Sequence, residues 1–202
     1  MPDDYWNHNV HYHPLVLGAV PEGCGEALDI GCGDGLLARK LAGRARHVTG
    51  VDRSPEMIRL ARERDVPGGE VTFVAADFLD DPRGRFPAGK YDFVSAVAVV
   101  HHMDFGAAVT GMARLLAPGG RLVIVGLARN RTASDWLISG AGVPASLVRA
   151  RRHGGKGHPA GMPMEDPDMS WGQVRDAARR LLPGCRFRRH LLWRYSIVWQ
   201  RP

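Results

Sequence analysis

The chain has 202 residues, of which 45% are hydrophobic and 24% charged, and its formal net charge is +6. This length and composition exclude intrinsic disorder as the default and favour one globular domain over residues 1–202. No run of about 18 apolar residues predicts a membrane-spanning helix. The N-terminus is acidic where a signal peptide needs positive charge, and three cysteines without CxxC spacing favour reduced thiols. We therefore expect a cytoplasmic protein.

Apolar runs bounded by turn residues predict strands that alternate with helices along most of the chain. The predicted strands are 26–30, 47–52, 70–77, 91–100 and 121–128. One or two short helices are predicted over 5–20, with a break at Pro14, and another helix begins after Gly35. Ser54 is placed to cap a third helix, with Pro55 at its first position, and a further helix covers 105–117. This alternation is typical of a parallel, doubly wound sheet.

The end of the chain breaks that alternation. Ser170 and Gln173 form a capping-box pattern that opens a helix to about Leu182. Two strand-like runs then follow, 185–192 and 194–200, with no room between them for a crossover helix, so they must pair antiparallel. The predicted fold is α/β: a doubly wound, mostly parallel seven-stranded sheet with an antiparallel C-terminal hairpin and helices on both faces.

A glycine-rich turn, ALDIGCGDG over residues 27–35, follows the first strand. Bare backbone there permits a tight reversal into a helix and a close approach of a ligand. Asp52, at the end of the second strand, is placed to accept hydrogen bonds from ribose hydroxyls, which predicts an adenosine-containing ligand at the strand C-termini. Leu36 stands where a dinucleotide fingerprint needs its third glycine, and no GxxxxGK[ST] phosphate loop is present.

The glycines at 31, 33 and 35, with Asp29 before them, resemble the first motif of the class I S-adenosylmethionine-dependent methyltransferases. Asp52 in VTGVDRSPEM and Asp77 in VAADF match that family's ribose-binding and adenine-binding acids, and RLLAPGGRLVIVGL resembles its helix, turn and fifth strand. The resemblance implies S-adenosylmethionine as cofactor, with S-adenosylhomocysteine as product. It also implies that Asp29 helps to fix the methionine end and that Phe78 lies beside the adenine ring. The predicted cofactor-binding residues are Asp29, Gly31, Cys32, Gly33, Gly35, Asp52, Arg53, Met57, Ala76, Asp77, Phe78 and Ala96.

A pair of histidines, His101 and His102, ends the fourth predicted strand. A histidine of near-neutral pKa is suited to removing a phenol or amine proton at pH 7, so both are candidate catalytic bases. Neighbouring residues leave a strand on opposite sides, so one is expected to face the site and the other to pack. Paired histidines here are also compatible with a role in shape alone.

Two regions remain for the acceptor. By the same resemblance, residues 1–22 form a helical lid over the cofactor, and residues 129–169 form an insertion that caps the substrate. The candidate substrate residues are Tyr5, Trp6, His8, Tyr12, His13 and Trp136. His8, His11 and His13 lack a defined metal-ligand spacing, so we predict no metal site.

Charge leaves alternatives open, because residues 1–128 hold 13 Lys and Arg against 16 Asp and Glu, whereas residues 129–202 hold 14 against 5. The favoured acceptor is a small molecule. The main alternative is an RNA methyltransferase that grips phosphates with its basic C-terminal third, although the signature and modules typical of such enzymes are missing. Two further alternatives are a nicotinamide oxidoreductase, which the glycine spacing disfavours, and a protein that binds the cofactor without catalysis. A peripheral membrane enzyme that uses Trp136, Leu137 and Ile138 beside the arginine run is compatible with a small-molecule acceptor. Oligomeric state is not readable from the sequence.

Overall fold

The structure is a computed structural model that describes residues 5–65, 71–152, 155 and 167–202. The strands are β1 (Glu26–Ile30), β2 (His47–Asp52), β3 (Val71–Ala75), β4 (Tyr91–Val97), β5 (Leu116–Gly126), β6 (Arg186–His190) and β7 (Arg194–Gln200). The α-helices are α1 (His13–Leu17), α2 (Leu36–Ala42), α3 (Pro55–Glu63), α4 (Phe105–Leu115), α5 (Ala133–Arg152) and α6 (Trp171–Leu181). Two 3-10 helices cover Val10–Tyr12 and Val100–His102. Parts of the predicted lid (1–4) and insertion (153–154 and 156–166), and Glu70 of the third predicted strand, lie outside the described residues.

All seven strands form one sheet in the order β3-β2-β1-β4-β5-β7-β6. Strands β1 to β5 pair in parallel, whereas β7 runs antiparallel to both β5 and β6. The predicted fold class and the C-terminal hairpin are therefore confirmed. Chain order reverses between β1 and β4, which are neighbours in the sheet, and open α/β sheets bind their ligands in the crevice at such a point.

Capping residues fix where two of the helices begin. The Ser54 hydroxyl accepts a hydrogen bond from the Met57 N–H, and Pro55 occupies the first turn of α3. At α6, the Ser170 side chain accepts from the Gln173 N–H while the Gln173 side chain accepts from the Ser170 N–H. Each cap satisfies N–H groups that have no partner inside the helix, so both helices begin where the sequence predicts.

Buried apolar side chains cover both faces of the sheet in two clusters. One includes Phe105 and Met112 of α4 together with Trp171 of α6. The other joins the N-terminal segment, through Val16, to Leu41 of α2. Helices therefore pack on both faces, as the almost wholly apolar strand β4 requires.

Several predicted boundaries were wrong. β4 ends at Val97, not at residue 100, because Ala98 takes a left-handed φ of 55°. The helix predicted over 105–117 ends at Leu115, and β5 begins at Leu116, because pairing with β4 continues through the turn at 118–120 with a shift in register. β5 then ends at Gly126, two residues before the predicted end.

The two predicted acceptor regions also differ from expectation. Pro14 lies in the first turn of α1, a position that proline favours, so it does not break a helix. α5 lies inside the predicted insertion, for which the sequence analysis predicts no helix. Among the described residues, no helix combines the length and apolar character needed to cross a bilayer.

Candidate functional site

A cleft opens at the carboxyl ends of β1 and β4, where the order of the strands reverses. It is lined by Tyr5, Asn7, Asn9, Val10, His13, Asp29, Gly31, Cys32, Gly33, Asp34, Leu36, Leu37 and Val97. The glycine turn forms one side of the cleft and the N-terminal segment forms the other. The topology thus brings the turn and the predicted lid to one place.

The glycine turn presents bare backbone at Gly33. Its φ is 53°, and a Cβ added there would meet no atom within 4 Å, so the space beside it is open to a ligand. Gly31 is different, because its Cβ would lie 2.5 Å from Cγ2 of Val99. Gly31 is therefore required for the turn to pack on the segment after β4. Gly33 leaves the backbone of the turn accessible to a ligand.

Asp52 holds the turn from the end of β2. One carboxylate oxygen accepts from the Gly33 N–H at 2.9 Å, and the other accepts from the Ser54 N–H at 2.9 Å. The Asp52 carbonyl also accepts from the Ala76 N–H at 2.9 Å, just after β3. These contacts fix the ends of three successive strands relative to one another and keep a carboxylate at the turn.

Asp29 is a buried carboxyl group, 2% exposed, at the end of β1. Its Oδ1 accepts a hydrogen bond from the Ser95 hydroxyl at 2.8 Å, whereas its Oδ2 has no hydrogen-bond partner among the described residues. Burial raises the pKa of Asp29 to about 7, the Ser95 hydrogen bond opposes that rise, and the charge of Asp52 adds to it. An orphaned oxygen of this kind is suited to a cationic or hydrogen-donating ligand group.

These residues fit the cofactor that the resemblance implies. The open side of Gly33 admits a ligand against the backbone, and Asp29, which carries the unpartnered oxygen, lines the same cleft. Each oxygen of Asp52 keeps a second lone pair beyond its backbone hydrogen bond, which is what a pair of ribose hydroxyls needs.

Of the remaining predicted cofactor residues, Cys32 lines this cleft and the others do not. Asp77, after β3, accepts from the Leu79 N–H at 2.9 Å and pairs with Arg53 at 3.5 Å. Phe78 is buried in the core against Gly111 of α4. Cys32 is buried in the turn, and burial raises the pKa of its thiol. Gly35 is the N-cap residue of α2, and Met57 is buried in α3. Ala76 follows β3, and Ala96 is buried in β4.

The N-terminal segment is tied to the glycine turn through Asp34, which is 3% exposed. The Tyr5 hydroxyl donates to Oδ1 of Asp34 at 3.2 Å, and Arg64 forms an ion pair with Oδ2. Burial, and next the charge of Asp34, raise the pKa of Tyr5, so its hydroxyl stays protonated. This contact brings Tyr5 to the mouth of the cleft.

His13 also faces the cleft, and it is 6% exposed. Its Nδ1 has no hydrogen-bond partner among the described residues. Burial, with a smaller contribution from Lys40, lowers the pKa of His13 to about 3. The imidazole is therefore neutral at pH 7, and it can take part in a hydrogen bond without carrying charge.

The other candidate substrate residues do not line the cleft. Trp6 and Tyr12 are buried in the core, and the Tyr12 hydroxyl accepts from the Leu192 N–H at 3.4 Å. His8 hydrogen-bonds to the Ser146 hydroxyl of α5 at 2.9 Å. Trp136 is 67% exposed on α5. These side chains hold the N-terminal segment in place or face solvent.

His101 and His102 are also absent from the lining of the cleft. They lie on the 3-10 helix after β4, not on the strand, so the expected opposite orientation of the two side chains was wrong. Their rings lie 4.0 Å apart at 38°, so the two side chains contact each other and do not leave the chain on opposite sides. Both are partly buried.

Several cleft residues were missed by the sequence analysis. Asp34 stands between Gly33 and Gly35, and this place inside the glycine motif could have identified it as a residue of the site. Asn7 and Asn9 carried no motif. Asn9 accepts from the buried Arg194 of β7 at 2.7 and 3.0 Å, and only the fold brings these residues together.

Comparison with known proteins gives a consistent family. Residues 28–124 match the family described as "Methyltransferase domain". An uncharacterized methyltransferase of Mycobacterium tuberculosis is 32% identical over 99% of this chain and 99% of its own length. A ubiquinone biosynthesis O-methyltransferase of Xylella fastidiosa is 34% identical over 61% of this chain, which spans only 49% of that protein.

The fold is also shared with solved structures. The magnesium protoporphyrin IX methyltransferase of Synechocystis, solved with bound S-adenosylhomocysteine, superposes with a TM-score of 0.61 at 19% identity. The match covers 96% of this chain and 83% of that one.

Proposed function

The chain belongs to the class I S-adenosylmethionine-dependent methyltransferases, and from this premise we propose that its methyl acceptor is a small molecule. S-adenosylmethionine is the cofactor, and it supplies an activated methyl group on a sulfonium sulfur. The work left to the protein is to bind, to align the acceptor and to exclude water. Alignment of this kind contributes about 7–11 kcal/mol in well-oriented reactions.

The observation that carries the proposal is closure of the cleft by the N-terminal segment. Tyr5 and His13 line the same cleft as Asp29 and Gly33. The Tyr5–Asp34 hydrogen bond lies beside the turn itself. A cleft that lies between the glycine turn and the N-terminal segment suits a compact acceptor better than a polynucleotide.

Asp52, Asp29 and the backbone at Gly33 are the residues we propose to hold the cofactor. Asp52 would take the ribose, and Asp29 would take the methionine end through its unpartnered oxygen. Asp77 and Phe78 would meet the adenine. Occupation of the cleft by a cationic ligand group would favour the ionised form of Asp29, since an opposite charge stabilises a carboxylate.

On the acceptor side we assign two kinds of role. His13, neutral and with one ring nitrogen available, would orient an acceptor hydroxyl or amine by hydrogen bonding. His101 and His102 remain the candidate bases for an acceptor that loses a proton as it attacks. Residues 1–22 would act as the lid and residues 129–169 as the cap.

Two observations weigh against RNA as the acceptor. Part of the basic C-terminal third has internal partners: Arg189 pairs with Asp135, and Arg194 bonds Asn9. The relative from Xylella fastidiosa is named for ubiquinone biosynthesis, which concerns a small molecule.

We also propose that the protein is cytoplasmic. Its three cysteines are free thiols, which is the state that cysteines keep in a reducing compartment.

The test is a screen for acceptor-dependent formation of S-adenosylhomocysteine, with phenols, amines, carboxylic acids and transfer RNA as separate arms. We expect turnover with one small-molecule class and none with transfer RNA. Turnover with RNA alone would overturn the proposal. A pH–rate profile on His101→Ala and His102→Ala then tests the base, since full activity in both variants excludes it.

A further inference from the structure

Helix α5 packs on the domain with its small and polar residues. Where the structure describes the side chains of this helix, the buried positions follow one helical stripe: Asp135, Ser139, Gly142 and Ser146. The contacts of this stripe are polar: Ser139 donates to the Asn130 side chain at 3.0 Å, and its carbonyl accepts from the Trp193 indole at 3.1 Å. A helix docked in this way leaves its apolar residues without a place in the core.

The outward face of α5 is correspondingly apolar. Six large side chains are 42–77% exposed there: Trp136, Leu137, Ile138, Val143, Leu147 and Val148. They account for six of the eight large hydrophobic side chains that are exposed in the described part of the chain. A contiguous apolar surface of this kind marks an interaction site.

Arginines flank this apolar face at both ends. Between residues 129 and 152 there are five arginines and one acid, Asp135. Arg129 and Arg131 precede the helix, and Arg149, Arg151 and Arg152 lie in its last turns. Asp135 pairs with Arg189 and does not offset this charge. The surface is therefore apolar at the centre and cationic at its ends.

We propose that α5 docks on the surface of an anionic lipid bilayer. A helix of this length extends about 30 Å, and it would lie in the plane of the headgroups with its apolar face inserted. Tryptophan is enriched at such interfaces, and arginines at helix ends reach anionic headgroups. A second copy of the chain fits less well, since pairing two of these faces brings like charges together. The proposal does not depend on which acceptor the enzyme uses.

The experiment is co-sedimentation of the full chain with two kinds of vesicle, phosphatidylcholine alone and equal parts phosphatidylcholine and phosphatidylglycerol. We expect binding to the anionic vesicles that weakens with added salt, and much weaker binding to the neutral ones. Trp136→Gln with Leu137→Gln should weaken anionic-vesicle binding by about tenfold or more. Arg151→Gln with Arg152→Gln should weaken it by about tenfold.

Matched controls lie elsewhere on the surface. Leu79→Gln removes an exposed apolar side chain away from α5, and Arg179→Gln with Arg180→Gln removes adjacent arginines from the last turn of α6. Both controls should bind vesicles as the unmodified chain does. Their loss of binding to the same degree as the α5 variants would overturn the proposal.

Two further outcomes would overturn it. One is the absence of sedimentation with anionic vesicles. The other is a dimer in sedimentation velocity that Trp136→Gln with Leu137→Gln dissociates, because that result assigns the face to a second copy. Unchanged binding of S-adenosylhomocysteine by the α5 variants shows that they remain folded, so loss of vesicle binding is then specific to the face.

Discussion

The glycine turn and helix α5 are both fixed by a carboxylate that accepts hydrogen bonds from backbone N–H groups, yet they expose opposite kinds of surface. Asp52 accepts from Gly33 and Ser54, and Asp135 accepts from the N–H groups of Arg131 and Thr132. Around the turn, the apolar side chains point into the core and the backbone faces the cleft. On α5, the polar side chains point inward and the apolar ones face out.

The large apolar side chains of α5 are exposed, so we expect the carboxylate that accepts backbone N–H groups to contribute more to holding this helix than it does at the turn. At the turn, hydrogen bonding and core packing act together on the same few residues. At α5, the buried Asp135, Ser139 and Ser146 side chains make polar contacts, and the large apolar side chains face outward.

The largest expected effect is on Asp52. Asp52→Ala removes the acceptor of two backbone N–H groups and the proposed ribose ligand together. We expect the affinity for S-adenosylhomocysteine to fall about 100-fold or more, near 2.7 kcal/mol, by calorimetric titration. Glu56→Gln, an exposed acid in the first turn of α3, is the control and should bind normally. An affinity for the Asp52 variant within a few-fold of the unmodified chain would contradict the assignment.

Asp135 tests the other carboxylate. Burial alone would raise its pKa, but the hydrogen bonds from the Arg131 and Thr132 N–H groups, helped by Arg189, hold the pKa below the usual range. We expect Asp135→Ala to speed hydrogen exchange of the α5 amides by about tenfold while cofactor affinity is kept. Asp176→Ala, an exposed acid of α6, should leave α5 exchange unchanged. If α5 exchange is also unchanged in Asp135→Ala, apolar packing and not the cap holds the helix.

Asp29 gives a pH-dependent test of the buried end of the turn. Its folded-state pKa is raised to about 7, so between about pH 4 and 7 the folded chain keeps a proton that the unfolded chain has lost. Its contribution to stability is therefore present at low pH and lost as pH rises through 7. Relative to Asp29→Asn, the free energy of unfolding should fall by up to about 1.4 kcal/mol per pH unit in that window, measured by denaturant titration. If the difference in free energy of unfolding between the two proteins does not change with pH, the pKa of Asp29 is not raised by folding.

The smallest effect concerns the contact between lid and turn. Tyr5→Phe removes the hydrogen bond to Asp34 and should weaken attachment of the N-terminal segment by about 0.5–1.5 kcal/mol. Dissociation of S-adenosylhomocysteine should become faster in stopped-flow measurement. Tyr91→Phe loses a side-chain hydrogen bond to Thr49 at the start of β4, outside the lid, and should release the ligand at the normal rate. If S-adenosylhomocysteine dissociates from both variants at the same rate, the lid does not contribute to binding in the way proposed.

Much of the cofactor side could be predicted from the sequence. The order of elements, the hairpin and the caps at Ser54 and Ser170 follow from local spacing, and the structure confirms them. The position of Asp52 beside the turn also follows, since parallel strands end at one edge of the sheet. The ends of β4 and α4 did not follow, because a left-handed Ala98 and a register shift near Tyr91 depend on neighbouring strands.

The acceptor side was much less predictable. Gly140, Gly142 and Pro144 favour a loop when they are considered locally, yet α5 runs through all three. His101 and His102 looked like strand residues, but they lie on a 3-10 turn outside the cleft lining.

The sequence by itself determined the cofactor, because the glycine turn and its acids are close along the chain or at consecutive strand ends. Only the tertiary structure decided what lies opposite them. Arg194 holds Asn9, and Asp135 holds Arg189, across separations of 185 and 54 residues. Contacts between residues so far apart leave no periodic pattern in the sequence, so the cleft wall and the outward face of α5 emerge only when the chain is folded.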